Sequence, residues 1–181
     1  QGSAGLFWNF VLKHLGADRV IAIEPISHRL EVGSGFGSDY RIGETFDAAT
    51  RAVLDLTGEG ADVVVECVGG NAGLKSFEQA QRMMKKDGVL HLIALYQGAR
   101  KPGDGLLPLD SGIFMNKMLV AGIRVPEPRS KYRADAAQML VDGRIKVGPM
   151  ITHRLPWQQT PEAYHMLFEK PDEALAVILE W

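Results

Sequence analysis

The feature that most restricts how this chain can fold is an alternation of short, nearly unbroken apolar runs with longer stretches of helical period. Val63-Val64-Val65 and Val89-Leu90-His91-Leu92-Ile93 are the clearest runs. Strands with so few polar positions are expected where a parallel sheet is covered by helices on both faces, which is a three-layer α/β architecture. The runs predict strands over residues 19–24, 40–42, 61–68, 88–95 and 117–125. The intervening period predicts a helix over 4–16, with Phe7, Phe10, Val11 and Leu15 on one face. A second is expected over 46–57, with Phe46, Ala49, Val53 and Leu56 following a Thr45 cap. A third covers 72–85, with Leu74, Phe77, Ala80 and Met84, capped by Asn71 and ended by Asp87-Gly88. A fourth covers 131–142, with Ala134, Ala137 and Val141, and stops at Gly143. Such stripes are expected to pack on the sheet rather than to bind a partner.

The alternation breaks near residue 150. From Ile151 onward the pattern predicts a short strand, a helix with Thr160 as cap and Pro161 in its first turn, and a last strand over 174–179. We therefore divide the chain into a main α/β domain, 1–149, and a C-terminal segment, 150–181, expected to return towards another domain. The Gly/Pro-rich stretch 97–105 follows a strand end, where binding loops of such sheets sit.

Composition narrows the function classes. A net charge of −2 leaves no basic patch, so nucleic acid and anionic membranes are not expected as partners. No apolar run approaches the roughly 20 residues of a membrane span, and the opening residues do not read as a signal peptide. The single cysteine, Cys67, cannot form an internal disulfide, which suits a reducing, cytoplasmic setting. A metal site is not expected, because Cys67 and the scattered His14, His28, His91, His153 and His165 lack ligand spacing. The five histidines are read as structural or exposed.

The chemistry begins at the first residues. Gly2-Ser3-Ala4-Gly5 leads straight into a predicted helix, and a glycine turn at a helix N-terminus lets a pyrophosphate approach backbone N–H groups along the helix dipole. The pair Gly2 and Gly5 corresponds to the last two glycines of the dinucleotide fingerprint. Glu24 stands at the end of the next predicted strand, where a carboxylate can accept hydrogen bonds from ribose hydroxyls. A 2′-phosphate ~4 Å away would be repelled by ~1 kcal/mol in water and ~4 kcal/mol at an effective dielectric of about 20. NAD is therefore expected over NADP. The pattern is that of a Rossmann-type doubly wound parallel sheet. Its first strand, the central one in the order 3-2-1-4-5-6, is expected to precede Gln1. About four to six backbone groups on its neighbours would then lack partners, a loss of ~1–3 kcal/mol each if dry, which rivals a domain's whole stability. The natural protein is expected to continue upstream, and this chain to be a fragment of it.

The sequence resembles the cofactor domain of the medium-chain, zinc-type alcohol dehydrogenases over essentially its whole length. The matching stretches are Gly2-Ser3-Ala4-Gly5, Arg19-Val20-Ile21-Ala22-Ile23-Glu24 and Gly60-Ala61-Asp62-Val63-Val64-Val65-Glu66-Cys67-Val68-Gly69. Gly143-Arg144-Ile145, Ile151-Thr152-His153-Arg154-Leu155-Pro156 and Glu162-Ala163-Tyr164 complete the likeness. The resemblance implies that Gly2, Ser3, Ala4 and Gly5 form the pyrophosphate turn, that Glu24 binds ribose, and that Arg29 lies beside the adenosine. It implies that Cys67 and Val68 wall the adenine side, and that the backbone at Ile93, Leu95, Gly122 and Arg124 lies near the nicotinamide. Read without it, Cys67 is a small buried hydrophobe, Arg29 a solvated charge, Glu24 a strand-end charge facing water, and Ile93, Leu95 and Gly122 sheet core.

The function implied is that of the NAD-binding portion of an oxidoreductase that moves a hydride between an alcohol or polyol and NAD. The chain would supply binding and orientation, with no catalytic residue of its own and the family's zinc held by a preceding domain. Rival readings are a zinc-free quinone reductase of the same superfamily, an S-adenosylmethionine-dependent methyltransferase, and a non-catalytic NAD-binding module. The partner expected is a small-molecule alcohol. The edge strand over 117–125 is expected to pair across a two-fold axis in a homodimer or homotetramer.

Overall fold

The structure, a computed structural model, describes residues 1–69, 74–94, 96, 107–122 and 128–181. In chain order the elements are α1 (Ser3–His14), β1 (Ile21–Ile23), α2 (Ser27–Val32), β2 (Tyr40–Ile42), α3 (Phe46–Thr57), β3 (Ala61–Glu66), α4 (Lys75–Arg82) and β4 (Met84–Leu92). They continue as β5 (Met118–Ala121), α5 (Arg129–Val141), β6 (Ile151–Pro156), α6 (Thr160–Glu169) and β7 (Ala176–Glu180). The class is mixed α/β with parallel strands, as the alternation predicts. Among the described residues the strands form three sheets, β1-β2, β3-β4-β5 and β6-β7. The short helix α2 has no counterpart in the expectation, since its six residues span under two turns and carry no full period. The Asn71 cap, the stretch 97–105 and the end of the predicted strand at 123–125 lie outside the described residues. Among the described residues no helix is long and apolar enough to cross a membrane.

Two units divide the chain. The first comprises Gln1–Ala22, Ile26–Arg41 and Val125–Trp181. Its core is Leu6, Phe36, Met150 and Leu175, flanked by Phe10, Val32, Ile145, Val147 and Ala176. α1 therefore turns Gly5, Leu6 and Asn9 inward. The stripe expected to be buried does not match: Phe7, Val11 and Leu15 are exposed, Leu15 at 75%. Apolar residues occupy more than one side of α1, so periodicity alone did not select the inward face. The stripe expected on α5 fails likewise, for no residue of that helix is buried. Asp39 ties two segments, its carboxylate accepting from the Val20 N–H at 2.7 Å and pairing with Lys13 Nζ at 3.1 Å. The Val20 N–H foremost, and then Lys13, hold the Asp39 carboxyl below its usual range. Gln1 and Asn9 exchange amide hydrogen bonds at 2.8 and 3.1 Å.

The C-terminal part of this unit pairs β6 with β7 in parallel, from Ile151 opposite Ala176 to Pro156 opposite Glu180. Helix α6 carries Pro161 in its first turn as expected, but its cap residue is Gln159 and not Thr160. The Thr160 hydroxyl instead donates back to the Trp157 carbonyl. Trp157 and Trp181 stack with ring centroids 5.5 Å apart.

The second unit comprises Ile23–Pro25 and Ile42–Arg124. β4 is the central strand of β3-β4-β5, and both of its pairings are parallel. Leu90 and Leu92 on β4, Met84 at its start, and Phe77 and Ala80 on α4 form the core. The nearly unbroken Val63-Val64-Val65 run was expected to be covered on both sides, yet Val63 is 45% exposed. Val64 packs against the Phe77–Leu90 core, and Val63, the preceding residue of the strand, points to the opposite face. Gln81 is buried and satisfied: its amide donates to the Pro108 carbonyl at 2.9 Å and accepts from the Asp110 N–H at 2.8 Å. Thr45 occupies the cap position of α3 without making a side-chain cap bond.

The largest departure lies at the α4–β4 junction. α4 ends at Arg82, and the chain is already strand at Met84 because the Ala61 N–H bonds the Met83 carbonyl at 2.8 Å. Asp87-Gly88 is thus no helix stop. It is a bulge within β4, where the register jumps from Ala61–Met84 to Val63–Val89 and Asp87 takes φ +61°. Gly60 lies across from it with φ +109°, and a Cβ there would stand 2.5 Å from Lys85 N and 2.6 Å from Met84 C. Gly58, also at positive φ, has open space around it. Gly60→Ala is expected to cost about 3 kcal/mol in urea unfolding, against about 1 kcal/mol for Gly58→Ala. Equal costs at the two positions would show that the close approach at Gly60 is not real.

Candidate functional site

The predicted site residues fall into two groups, one in each unit. In the first unit, Gly2 is the cap residue of α1, with φ −74° and ψ −173°, and the helix start has no side-chain cap. The Leu6 N–H makes the first helical bond, to Gly2 O at 3.1 Å. Gly2, Ser3 and Ala4 are exposed and Gly5 is buried. Nothing stands within 4 Å of a Cβ built on Gly2, and its φ is one that any residue adopts, so the fold itself does not require glycine here. Open backbone donors at the positive end of a twelve-residue helix suit an anion.

Arg29, on α2, belongs to the same unit. Its guanidinium Nη2 donates to the Pro171 carbonyl and, at 2.7 Å, to the Ala174 carbonyl. Burial lowers its basicity from the ordinary arginine value, opposed by the charge of Asp172. A solvated helix-start charge, the simplest reading of Arg29 from sequence, is not what stands there.

In the second unit, Glu24 immediately follows β1, and its N–H bonds the Ile42 carbonyl at 3.0 Å. The side chain is only 4% exposed, so it is not a charge facing water. Cys67 and Val68 follow β3, Ile93 follows β4 and Gly122 follows β5. Because these three strands are parallel neighbours, the structure brings the four residues to one edge of the sheet. The Glu66 carbonyl accepts from both Ile93 N–H (3.1 Å) and Ala94 N–H (3.2 Å), and Gly122 N–H bonds Leu92 O at 2.8 Å. Gly122 has φ +83° and open space beside it, and Val68 is 58% exposed. The remaining two predicted residues, Leu95 and Arg124, lie outside the described residues.

Cys67 is half-buried and its thiol is pushed up to about 12, by burial foremost and then by the Glu66 carboxylate. A thiol held protonated is a poor metal ligand. Among the described residues no group of three or more His, Cys, Asp or Glu is placed to hold a metal ion. The histidines are dispersed: His14 stacks on Phe10, His91 Nε2 lies 3.1 Å from the Gly122 carbonyl, and His28 Nε2 and His153 Nδ1 are buried without partners. His165 lines a shallow depression with Pro161, Glu162, Met166 and Lys170.

Sequence reasoning overlooked Glu66. It is 3% exposed at the end of β3, and one carboxylate oxygen accepts from the Val68 N–H at 3.0 Å. The available signal was a carboxylate closing an apolar strand, just ahead of two residues already under consideration.

A family profile described as zinc-binding dehydrogenase matches residues 4–142. An alcohol dehydrogenase of Cupriavidus necator is 27% identical, the match covering 99% of this chain and 47% of that protein. An L-threonine 3-dehydrogenase of Bacillus licheniformis is also 27% identical, over 92% of this chain and 46% of its own length. Among solved structures, alcohol dehydrogenase TADH from Thermus sp. ATN1 superposes with a TM-score of 0.78 at 28% identity, covering 99% of this chain and 49% of that one. The chain spans about half the length of the curated relatives it matches.

The Cys67 environment gives a direct check. Lifting the thiol from 9.0 to about 12 leaves about a thousandfold less thiolate near pH 8. Alkylation by iodoacetamide at pH 8 is expected to be slower by at least that factor in the folded protein than in urea. Equal rates would mean an ionised, accessible thiol.

Proposed function

The chain belongs to the zinc-binding dehydrogenase family, and from that premise we propose that it is the dinucleotide-binding portion of an NAD-dependent oxidoreductase acting on an alcohol or polyol. The observation that carries this reading is the start of α1, an uncapped helix headed by an exposed Gly2 that no neighbouring atom requires to be glycine. A ligand pressing against the backbone explains that choice of residue; internal packing does not. Gly2, Ser3, Ala4 and Gly5 would hold the pyrophosphate through backbone N–H groups. Glu24 would accept hydrogen bonds from the ribose hydroxyls and repel a 2′-phosphate. Arg29 would lie beside the adenosine, its charge held in place by the Pro171 and Ala174 carbonyls. Cys67 and Val68 would wall the adenine. Ile93 and Gly122, with Leu95 and Arg124, would border the nicotinamide.

When bound, the nicotinamide supplies the hydride acceptor. This chain's part is to bind it, orient it and exclude water around it. The described residues do not fit a zinc ion, since they offer no ligand cluster and a protonated Cys67. In this reading any catalytic zinc is held by another domain of the protein, towards which the segment 150–181 returns. The exposed Trp157, Tyr164, Phe168 and Trp181 of that segment suit a covered surface. A carboxylate at Glu24 counts against a zinc-free quinone reductase, and the family match counts against a methyltransferase. We place the protein in the cytoplasm, as a homodimer or homotetramer paired through the 117–125 edge. The exposed Met118 and Val120 of β5 support that edge as the interface.

Fluorescence titration tests the reading. NADH is expected to bind roughly tenfold to several-hundredfold more tightly than NADPH; NADPH binding as tightly as NADH, or no binding of either, overturns it. Gly2→Asp is expected to act in opposite directions on fold and ligand. It supplies the missing helix cap, for a gain of a few tenths of a kcal/mol, and weakens NADH binding tenfold or more by placing a carboxylate where the pyrophosphate would sit. Unchanged NADH affinity in Gly2→Asp would remove α1 from the site.

A further inference from the structure

Glu66 is the buried charge that the proposed binding roles leave unused. One oxygen, Oε1, accepts from the Val68 N–H at 3.0 Å, while Oε2 is buried and has no hydrogen-bond partner. The Tyr96 phenol is a neighbour: burial foremost pushes its pKa up, the Ser76 hydroxyl opposes, and the Glu66 carboxylate adds a smaller push upward. Tyr96 Oη lies 2.9 Å from Ser76 Oγ on the first turn of α4. The Glu66 backbone carbonyl takes the N–H groups of Ile93 and Ala94. The Glu66 carboxylate thus fastens the segment after β3, and its backbone carbonyl fastens the segment after β4.

A buried carboxylate with an unfilled oxygen costs stability, and a well-packed apolar side chain of similar volume would serve the core as well or better. Its retention needs a reason other than folding. The segments it fastens carry Cys67, Val68 and Ile93, which the dinucleotide reading places against the cofactor. We propose that Glu66 is a positioning residue of the cofactor site, its carboxylate holding the Val68 backbone at the end of β3 in the geometry that receives the dinucleotide. This rests on the dinucleotide reading above.

The test compares Glu66→Leu, Glu66→Met and Glu66→Gln in the intact protein. NADH dissociation constants, urea midpoints and the protection of the Val68 amide in hydrogen exchange are measured for each. Glu66→Leu is expected to weaken NADH binding by about ten- to a hundredfold, the usual worth of a backbone hydrogen bond to a charged group, with loss of Val68 protection and no fall in the urea midpoint. Glu66→Gln retains an acceptor for the Val68 N–H and is expected to restore affinity to within about threefold of wild type. A merely structural role would move the midpoint and leave NADH affinity of the folded protein unchanged, which overturns the proposal. So does a Gln variant no better than Leu. Should Glu66→Leu fail to fold, Glu66→Met carries the test: a loss of affinity of about tenfold or more together with loss of Val68 protection supports the proposal, and wild-type affinity overturns it. Absence of NADH binding by the wild type would remove the dinucleotide reading itself and this proposal with it. Tight binding by the wild type and Glu66→Leu alike would remove this proposal alone.

Discussion

Parallel pairing is the constraint on which the candidate site depends. Antiparallel neighbours send successive strand ends to opposite edges, whereas parallel ones collect all their carboxyl ends on one. In β3-β4-β5 the registers Val64–Leu90 and Leu90–Leu119 align the three strands so that Cys67, Ile93 and Gly122 emerge together. The cost of that arrangement is connection length: each strand must be followed by a return that includes a helix or a long loop. α4 meets that need between β3 and β4, and the same helix supplies Phe77 and Ala80 to the core.

How far the sequence disclosed this follows from which signals are local. Alternation of apolar runs with helical period located β1 to β5 and four of the helices, because strand and helix periods are written in consecutive residues. The helix headed by Gly2 and the position of Glu24 at the next strand's end were legible for the same reason, although α1 begins at Ser3 and so takes in Gly5. Facing was not. α1 is apolar on more than one side, so its inward residues, Leu6 and Asn9, depended on Phe36, Met150 and Leu175, distant in sequence. The edge position of β3 and the bulge at Asp87-Gly88 depended on which strand lay next door. Glu66 was overlooked because its burial and its hydrogen bond with the Val68 N–H are not encoded by any spacing rule.

Arg29 shows how a single charge can answer two questions at once. Sequence position offered a solvent-facing arginine or a ligand contact, and the structure has a half-buried guanidinium gripping the Pro171 and Ala174 carbonyls. Those carbonyls precede Leu175, a member of the core shared with Leu6. The start of α2 and the approach to β7 are therefore joined by charge-assisted hydrogen bonds as well as by apolar packing. A unit whose core cluster is built on Leu6, Phe36, Met150 and Leu175 benefits from such ties, and the Asp39–Lys13–Val20 cluster and the Gln1–Asn9 pair serve alike.

The stacked indoles of Trp157 and Trp181 have an optical consequence. They are two of the chain's three tryptophans, and Trp181 is almost wholly open to water. Emission from this protein will therefore be weighted towards a red-shifted, water-relaxed signal from its last residues. Any event that dries that end would register as a blue shift with no added label.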